Sequence, residues 1–199
     1  MNCARYVALG LLLGACASAN AEVEKLGIPC ETGICLYWWP KLPALEGWHR
    51  EHEASLQAGS NALAPDGFDF SNAEVVIYAR AIYKPRMPDI KSLDAFIEDD
   101  KRQFLAADKN IVISKALPLR TADGQLLRAL TFFPKSHGNW ELLAYGEEGD
   151  FYLVFALSSR SADAYRQSQH SFESLVTQYR AKPSEDPDKF KEGKGPGHP

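Results

Sequence analysis

Three apolar segments of strand length follow one another between residues 125 and 158, separated by the polar stretches 134–139 and 146–150. This spacing predicts an antiparallel meander. In the last segment both alternating sets of side chains are apolar, one being Phe151, Leu153, Phe155 and Leu157 and the other Tyr152, Val154 and Ala156. We therefore expect this strand at the centre of a sheet that is covered on both faces.

Two helical patterns accompany the meander. Ser92 predicts the N-cap of a helix that ends near Asp108, and Ser161 caps a second one. The apolar stripe of the first is Leu93, Phe96, Ile97, Phe104 and Leu105, with Asp94, Glu98, Asp99 and Asp100 expected to face water. The stripe of the second is Ala162, Tyr165, Phe172, Leu175, Val176 and Tyr179.

Strand patterns over residues 72–83 and 111–119 complete the element order: strand, helix, four-strand meander, helix. Asp123-Gly124 predicts the turn that leads into residue 125. Residues 54–71 are rich in turn formers and predict a surface loop, and the region before it predicts irregular structure. This order predicts the α+β class, with a three-layer α/β/α sandwich around a largely antiparallel sheet.

Composition fits one domain, since 199 residues with 45% hydrophobic and 24% charged side chains leave no room for a second full domain. The predicted divisions are a targeting segment at 1–21, a domain at 22–181 and a disordered tail at 182–199, which holds four prolines and almost no apolar residue. The formal net charge of −4 becomes one unit more negative without Arg5. We therefore expect no nucleic-acid partner.

The first 21 residues have the three parts of a signal peptide: Arg5, an apolar run from Val7 to Ala15, and the exit Ala19-Asn20-Ala21. They predict a periplasmic or secreted protein that begins at Glu22. An alternative is the lipoprotein-like box that ends at Cys16, which would anchor the protein in the outer membrane by a lipid. Membrane association is expected only in that alternative.

Cys30 and Cys35 are the cysteines that remain after removal of the targeting segment. In an oxidising compartment such a pair predicts a disulfide. The rival interpretation is a redox pair, but redox proteins use a C-x-x-C spacing at a helix start. The four-residue separation favours a structural bridge.

Trp38, Trp39 and Trp48 lie close together in the sequence, around two prolines. Such rings either form a ligand platform or cover one face of the sheet. Because a sheet with two apolar faces needs more cover than two helices provide, we favour the second interpretation and keep the first as a candidate binding site.

The polar cluster around His49, Glu51 and His52 has the side chains that zinc or copper prefers. Its spacing is that of no zinc motif, and on a strand the two histidines would point to opposite faces. We therefore expect no metal and no cofactor here. His49 and Glu51 remain candidate binding residues on a solvated edge strand.

The chain contains no G-x-S-x-G, S-x-x-K, Walker A or dinucleotide-binding pattern, which are the common local motifs of catalytic sites. Ser136 and His137 are adjacent in a predicted hairpin loop, where neighbouring side chains diverge. The sequence therefore favours a protein that is not an enzyme.

Several features together resemble the PsbP-like fold group: Gly47-Trp48, Leu63-Ala64-Pro65-Asp66-Gly67, the strand at residues 75–80, the helix from Ser92, the Asp123-Gly124 turn, Trp140-Glu141 and the closing helix. The group includes the extrinsic lumenal protein of photosystem II, a nuclear-import accessory protein and small bacterial envelope proteins. The resemblance covers about residues 37–179 and implies accessory or adaptor binding. It names no ligand.

Two functional hypotheses follow. The first is an exported, non-catalytic envelope accessory protein that binds a protein partner or a small ligand. The alternative is a small metal-binding protein or metal-dependent hydrolase built on His49 and His52.

We expect the mass of the intact protein from its native envelope to correspond to a chain that begins at Glu22, or at an acylated Cys16, with Cys30 and Cys35 oxidised. Intact mass spectrometry with and without reduction reads all three features. Retention of Met1 would contradict export. Alkylation of both cysteines without a reductant would contradict the disulfide.

Overall fold

The structure is a computed structural model that describes residues 23–30 and 33–180. The predicted signal peptide with Cys16 and the tail after residue 181 lie outside the described residues. The strands are β1 Val23–Cys30, β2 Gly33–Pro40, β3 Trp48–Arg50, β4 Asn61–Pro65, β5 Val75–Tyr83, β6 Val112–Lys115, β7 Leu119–Arg120, β8 Leu126–Phe133, β9 Trp140–Glu148 and β10 Phe151–Ser159. The helices are α1 His52–Ala58, α2 Leu93–Ala107 and α3 Ala162–Gln178, with a short 3-10 turn at Lys84–Arg86.

The main sheet has the strand order β3-β4-β5-β10-β9-β8-β6, with β7 also paired to β8. Neighbouring strands in the described part of the chain pair antiparallel. The strand β10 lies in the middle, as its two apolar faces predict, and β8, β9 and β10 form the predicted meander. The α+β class with a largely antiparallel sheet is confirmed.

Alternate residues of β10 enter two separate apolar clusters. Leu153, Phe155 and Leu157 pack with Phe172 and Leu175 of α3. On the other face, Tyr152, Val154 and Ala156 pack with side chains of α2, of which Phe96 stacks on Tyr152 at 4.6 Å between ring centroids. We call these two sides of the sheet the α3 face and the α2 face.

Both helices begin where the caps predict. The Ser92 hydroxyl accepts a hydrogen bond from the backbone N–H of Ala95, and the Ser161 hydroxyl accepts one from Ala164. The water-facing assignment of Asp100 was wrong, because this residue is buried and binds the Tyr145 hydroxyl at 2.7 Å. Leu105, predicted in the apolar stripe, is instead exposed.

The irregular structure predicted at the N-terminal end is replaced by a ribbon. The strands β1 and β2 pair antiparallel in a two-stranded sheet, in which Val23 lies opposite Pro40 and Cys30 opposite Gly33. The prolines do mark the end of β2. Pairing with β1 satisfies backbone groups that an irregular crossing would leave to solvent.

The surface loop predicted at 54–71 was also wrong in its first half. Residues 52–58 form α1, which ends at Gly59 in the left-handed conformation with φ of 61°. Residues 61–65 form β4, whose Ala62 and Leu63 are fully buried. Burial beside β5 imposes strand structure on a stretch whose local composition favours turns.

The predicted strand at 111–119 divides into β6 and β7, because Pro118 has no N–H to donate to a backbone carbonyl of β8.

The hairpin between β9 and β10 is tighter than predicted. The strand β9 continues through Gly146 to Glu148, so the loop predicted at 146–150 shortens to a tight turn. Gly146 can sit inside the strand because it has no side chain. A Cβ there would lie 2.4 Å from Cδ2 of the buried Leu127.

One buried carboxylate connects both ends of the described chain. Glu148 accepts hydrogen bonds from the backbone N–H of Val23 at 3.4 Å and from the Tyr179 hydroxyl. The Tyr179 carbonyl in turn accepts from the Ala122 N–H at 2.8 Å. Burial and the nearby Glu148 carboxylate raise the pKa of Tyr179 above its ordinary value, so its hydroxyl remains a donor.

We expect Gly146→Ala to lower the free energy of unfolding by about 1–3 kcal/mol, because the new methyl group must displace Leu127 within a packed core. Chemical denaturation of the purified domain measures this loss. Gly149→Ala is the control for replacing a glycine by alanine without a steric clash, because a Cβ there meets no atom within 4 Å. Its φ of 52° means that this control carries backbone strain but no packing clash. An unchanged stability of Gly146→Ala would contradict the close packing of Leu127.

Candidate functional site

The α2 face has an uncovered corner. Phe96 of α2 stacks on Tyr152 and Phe104 stacks on Phe132, so the helix crosses the sheet obliquely from β10 to β8. Beyond it, a cavity of about 240 Å³ opens over the ends of β5, β9 and β10. Its lining residues come from these strands and from the segments beside them: Phe70, Ala73, Glu74, Val76, Tyr78, Asn139, Glu141, Ser158 and Arg160.

Glu141 is the central polar residue of this cavity. It is the second residue of β9, where it lies opposite Ser158 of β10, and the sheet register brings Val76 of β5 to the far side of Ser158. Glu141 is 9% exposed. The backbone pairing of three strands therefore fixes a carboxylate on the floor of the cavity.

A short chain of hydrogen bonds orients this carboxylate. The Asn139 amide donates to the Ser158 hydroxyl at 2.9 Å, and the Ser158 hydroxyl donates to Oε1 of Glu141 at 2.9 Å. The second oxygen, Oε2, is buried and has no hydrogen-bond partner among residues 23–30 and 33–180. Buried polar atoms are normally paired, so Oε2 marks a place where a donor is missing.

The surroundings of Glu141 favour the neutral form of its carboxyl group more than bulk water would. Burial raises the pKa of the Glu141 carboxyl above its ordinary value, and the hydrogen bond from Ser158 and the nearby charge of Arg80 oppose this shift. Burial likewise raises the pKa of Tyr78, with the Glu141 charge acting in the same direction. The raised pKa keeps the Tyr78 hydroxyl protonated at neutral pH, so the desolvation cost in this corner falls on Glu141 when it ionises.

A second polar group lies further along the same face and is better satisfied. Asp100 accepts from the Tyr145 hydroxyl at 2.7 Å and pairs with the Arg80 guanidinium at 3.5 Å. Arg80 keeps its Nε without a partner within the described ranges. This group attaches α2 to the sheet, whereas none of the described helices is hydrogen-bonded to Glu141.

The predicted aromatic site is divided in the structure. Trp38 stacks on Tyr83 at 5.6 Å and carries the Arg86 guanidinium 4.2 Å from its ring centroid. A cavity of about 270 Å³ opens beside it. Trp39 is buried and its indole N–H donates to Glu24 at 3.2 Å.

Trp48 lies far from Trp38. Trp48 lies opposite Pro65 of β4, which is level with the first residue of β5. Trp38 stacks on Tyr83, which is the last residue of β5. Eight residues of strand correspond to about 27 Å. Trp38 and Trp48 therefore belong to two places on the α3 face, where both pack against the core.

The histidine cluster differs from its prediction. His49 lies on β3, but His52 begins α1, so the argument from strand alternation was wrong. The two ring nitrogens of His49 face Glu51 at 2.8 Å and Asp66 at 3.4 Å. Because these nitrogens point in divergent directions, the two carboxylates do not converge on one point. Across the described residues, no three His, Cys, Asp or Glu side chains are grouped to hold a metal ion.

The ribbon register bears on Cys30 and Cys35. Cys30 lies opposite Gly33 and Cys35 opposite Ile28, so the two cysteines are two residue positions apart along the backbone register of the ribbon. The side chain of Cys30 lies outside the described residues, and the disulfide stays a prediction. Ser136 and His137 lie between β8 and β9 and are both exposed.

No protein-family model matches this chain, and no curated protein is detectably similar to it. None of the helices in the described part is long and apolar enough to cross a membrane.

Sequence reasoning missed Glu141 and Ser158 as site residues. A usable signal was present: Glu141 is a charged residue at the head of the apolar run Leu142-Leu143-Ala144-Tyr145, and the alternation directs it to the same face as Leu143 and Tyr145. What the sequence lacked was the partner, because Ser158 meets Glu141 only through the β9–β10 register.

We expect Glu141→Gln to raise the melting temperature at pH 7–8 and to have little effect near pH 4. A carboxyl whose folded-state pKa is raised binds more protons when folded than when unfolded, so stability falls as pH rises from the unfolded pKa through the folded one. Above that window the ionised Glu141 costs stability that glutamine does not. Thermal unfolding across pH measures the difference, with the exposed Glu98→Gln as control. A lower melting temperature of Glu141→Gln at pH 8 would contradict it.

Proposed function

We propose that this chain is an exported, non-catalytic binding protein whose ligand is a small polar molecule held in the Glu141 cavity. The observation that carries the proposal is the buried, oriented carboxylate whose Oε2 lacks a donor in the described structure. The cavity of about 240 Å³ lies just below the range of about 300–1,000 Å³ that is typical of ligand sites, so it fits only a small molecule. Its concave shape and a carboxyl whose pKa is raised by burial are features of such sites.

Binding without catalysis fits the roles of the cavity side chains. The Ser158 hydroxyl lies beside the Glu141 carboxylate, but Ser158 is 5% exposed and its hydroxyl is held between Asn139 and Glu141. Its oxygen is therefore committed to orienting Glu141. The histidines His49 and His137 lie on other parts of the chain, at β3 and in the β8–β9 loop.

The proposal includes a PsbP-like, three-layer arrangement, with α3 on one face of the sheet and α2 on the other. The division of β10 side chains between two apolar clusters supports the layering. The resemblance of residues 37–179 to the PsbP-like group supports accessory binding. The signal-peptide pattern supports a periplasmic or secreted location, with the lipid anchor at Cys16 as the alternative.

The Cys30–Cys35 disulfide belongs to the same proposal. The backbone register of the ribbon, with Cys30 opposite Gly33 and Cys35 opposite Ile28, supports this part of the proposal. Such a bridge would hold the free end of the ribbon closed in an oxidising compartment. So short a loop contributes at the low end of about 2–4 kcal/mol.

A nitrogen-15 NMR titration of residues 22–181 with a panel of small amines, alcohols, sugars and carboxylic acids tests the binding function. We expect at least one class to give saturable shifts at residues 70–78, 139–141 and 158–160. Ser158→Leu should abolish them, because its side chain fills the cavity. Leu36→Ala, beside Trp38, is the control and should leave them unchanged.

Two results would contradict this function. One is the absence of saturable shifts with every class at millimolar concentration. The other is a set of shifts confined to Trp38 and its neighbours, which would move the site to the α3 face.

A further inference from the structure

We propose that the ligand of the Glu141 cavity carries a positively charged nitrogen, an ammonium or amidinium group, that donates to Oε2 of Glu141. This inference rests on the proposed binding function and specifies its ligand class. It starts from an asymmetry in one carboxylate: Oε1 is paired with Ser158, and Oε2 has no partner among the described residues. A carboxylate oxygen can only accept, so the ligand must supply an N–H or O–H.

The charges around the cavity select between these donors. Glu141 and Glu74 line the cavity with one cation, Arg160, at its exposed rim. The Arg160 guanidinium donates to the Ser71 carbonyl at 2.7 Å, and Glu74 accepts from Ser161. The lining residues therefore carry one net negative charge. A cationic ligand neutralises it, while an alcohol leaves it buried.

The cations inside the protein do not already neutralise Glu141. Arg80 acts on it through space but forms its ion pair with Asp100, at 3.5 Å. Within the described ranges, no ion pair includes Glu141. A protein that needed only a stable strand at this point would gain by placing an apolar residue there.

The remaining walls suit the rest of such a ligand. Two aromatic residues, Phe70 and Tyr78, are among the residues that line the cavity, together with Ala73 and Val76. Aromatic rings attract cations and also pack against apolar groups. The ligand that these walls fit has a charged nitrogen at Glu141 and a small apolar body.

Binding of a cation should weaken as pH falls, because protonation of Glu141 removes the acceptor charge. The charged and titratable groups that face Glu141 are Tyr78 and Arg80 of β5, Asp100 of α2, and Glu74 and Arg160 at the rim. Burial raises the pKa of the Glu141 carboxyl, so this carboxyl becomes protonated at a higher pH than an ordinary carboxyl does.

Isothermal titration calorimetry with phenethylamine and 2-phenylethanol tests the inference, because these probes differ only in the charged nitrogen. We expect the amine to bind at least about tenfold more tightly than the alcohol at pH 8. Glu141→Gln should weaken the amine about tenfold or more and leave the alcohol within about threefold. The amine should also bind more weakly at pH 5.

Glu74→Gln is the matched control, because it removes a rim carboxylate of equal charge, and it should weaken the amine less than Glu141→Gln does. The same measurements with 2-phenylethylguanidine, which has the same phenethyl body, extend the test to a guanidinium. Equal affinity of alcohol and amine, or an amine affinity unchanged by Glu141→Gln, would overturn the charge inference while binding in the cavity would still support the proposed function. Failure of every probe, including the alcohol, would overturn the charge inference, while the NMR titration with the other ligand classes decides the proposed function separately.

Discussion

The structure depends on the burial of β10, a strand whose side chains are apolar on both faces. Such a strand is stable only when neighbours pair with both of its edges and other elements cover both of its faces. β5 and β9 pair with its edges over its whole length. Side chains of α3 pack on one face and side chains of α2 on the other, and Trp38 of the N-terminal ribbon and Trp48 of β3 both pack against the core of the α3 face.

Within this apolar core, buried carboxylates are the exceptions, and they differ in how they are satisfied. Glu148 joins the start of β1 to the end of α3 through Val23 and Tyr179. Asp100 joins α2 to the sheet through Tyr145 and Arg80. Both are structural connections between elements that are distant in sequence. Each costs desolvation and offsets that cost with hydrogen bonds.

Glu141 is satisfied at only one of its two carboxylate oxygens within the described residues. It has a hydrogen bond from Ser158, but α2 packs on the sheet elsewhere and no other helix of the described chain contributes a bond to Glu141. A protein that retains such a group sacrifices some stability at that point, which is the usual relation between stability and a binding site. The cavity, the oriented Oε1 and the unpaired Oε2 are thus three consequences of one arrangement of strands and helix.

The sequence by itself determined the elements whose signals are local. The alternation at residues 151–157 placed β10 at the centre, and the Ser92 and Ser161 caps set the starts of α2 and α3, because periodicity and capping act over a few residues. Only the tertiary structure decided the ribbon at 23–40, the burial of β4 and of Asp100, and the meeting of Glu141 with Ser158. Each of these depends on a partner distant in the chain, and no local pattern specifies which strand, helix or hydroxyl that partner will be.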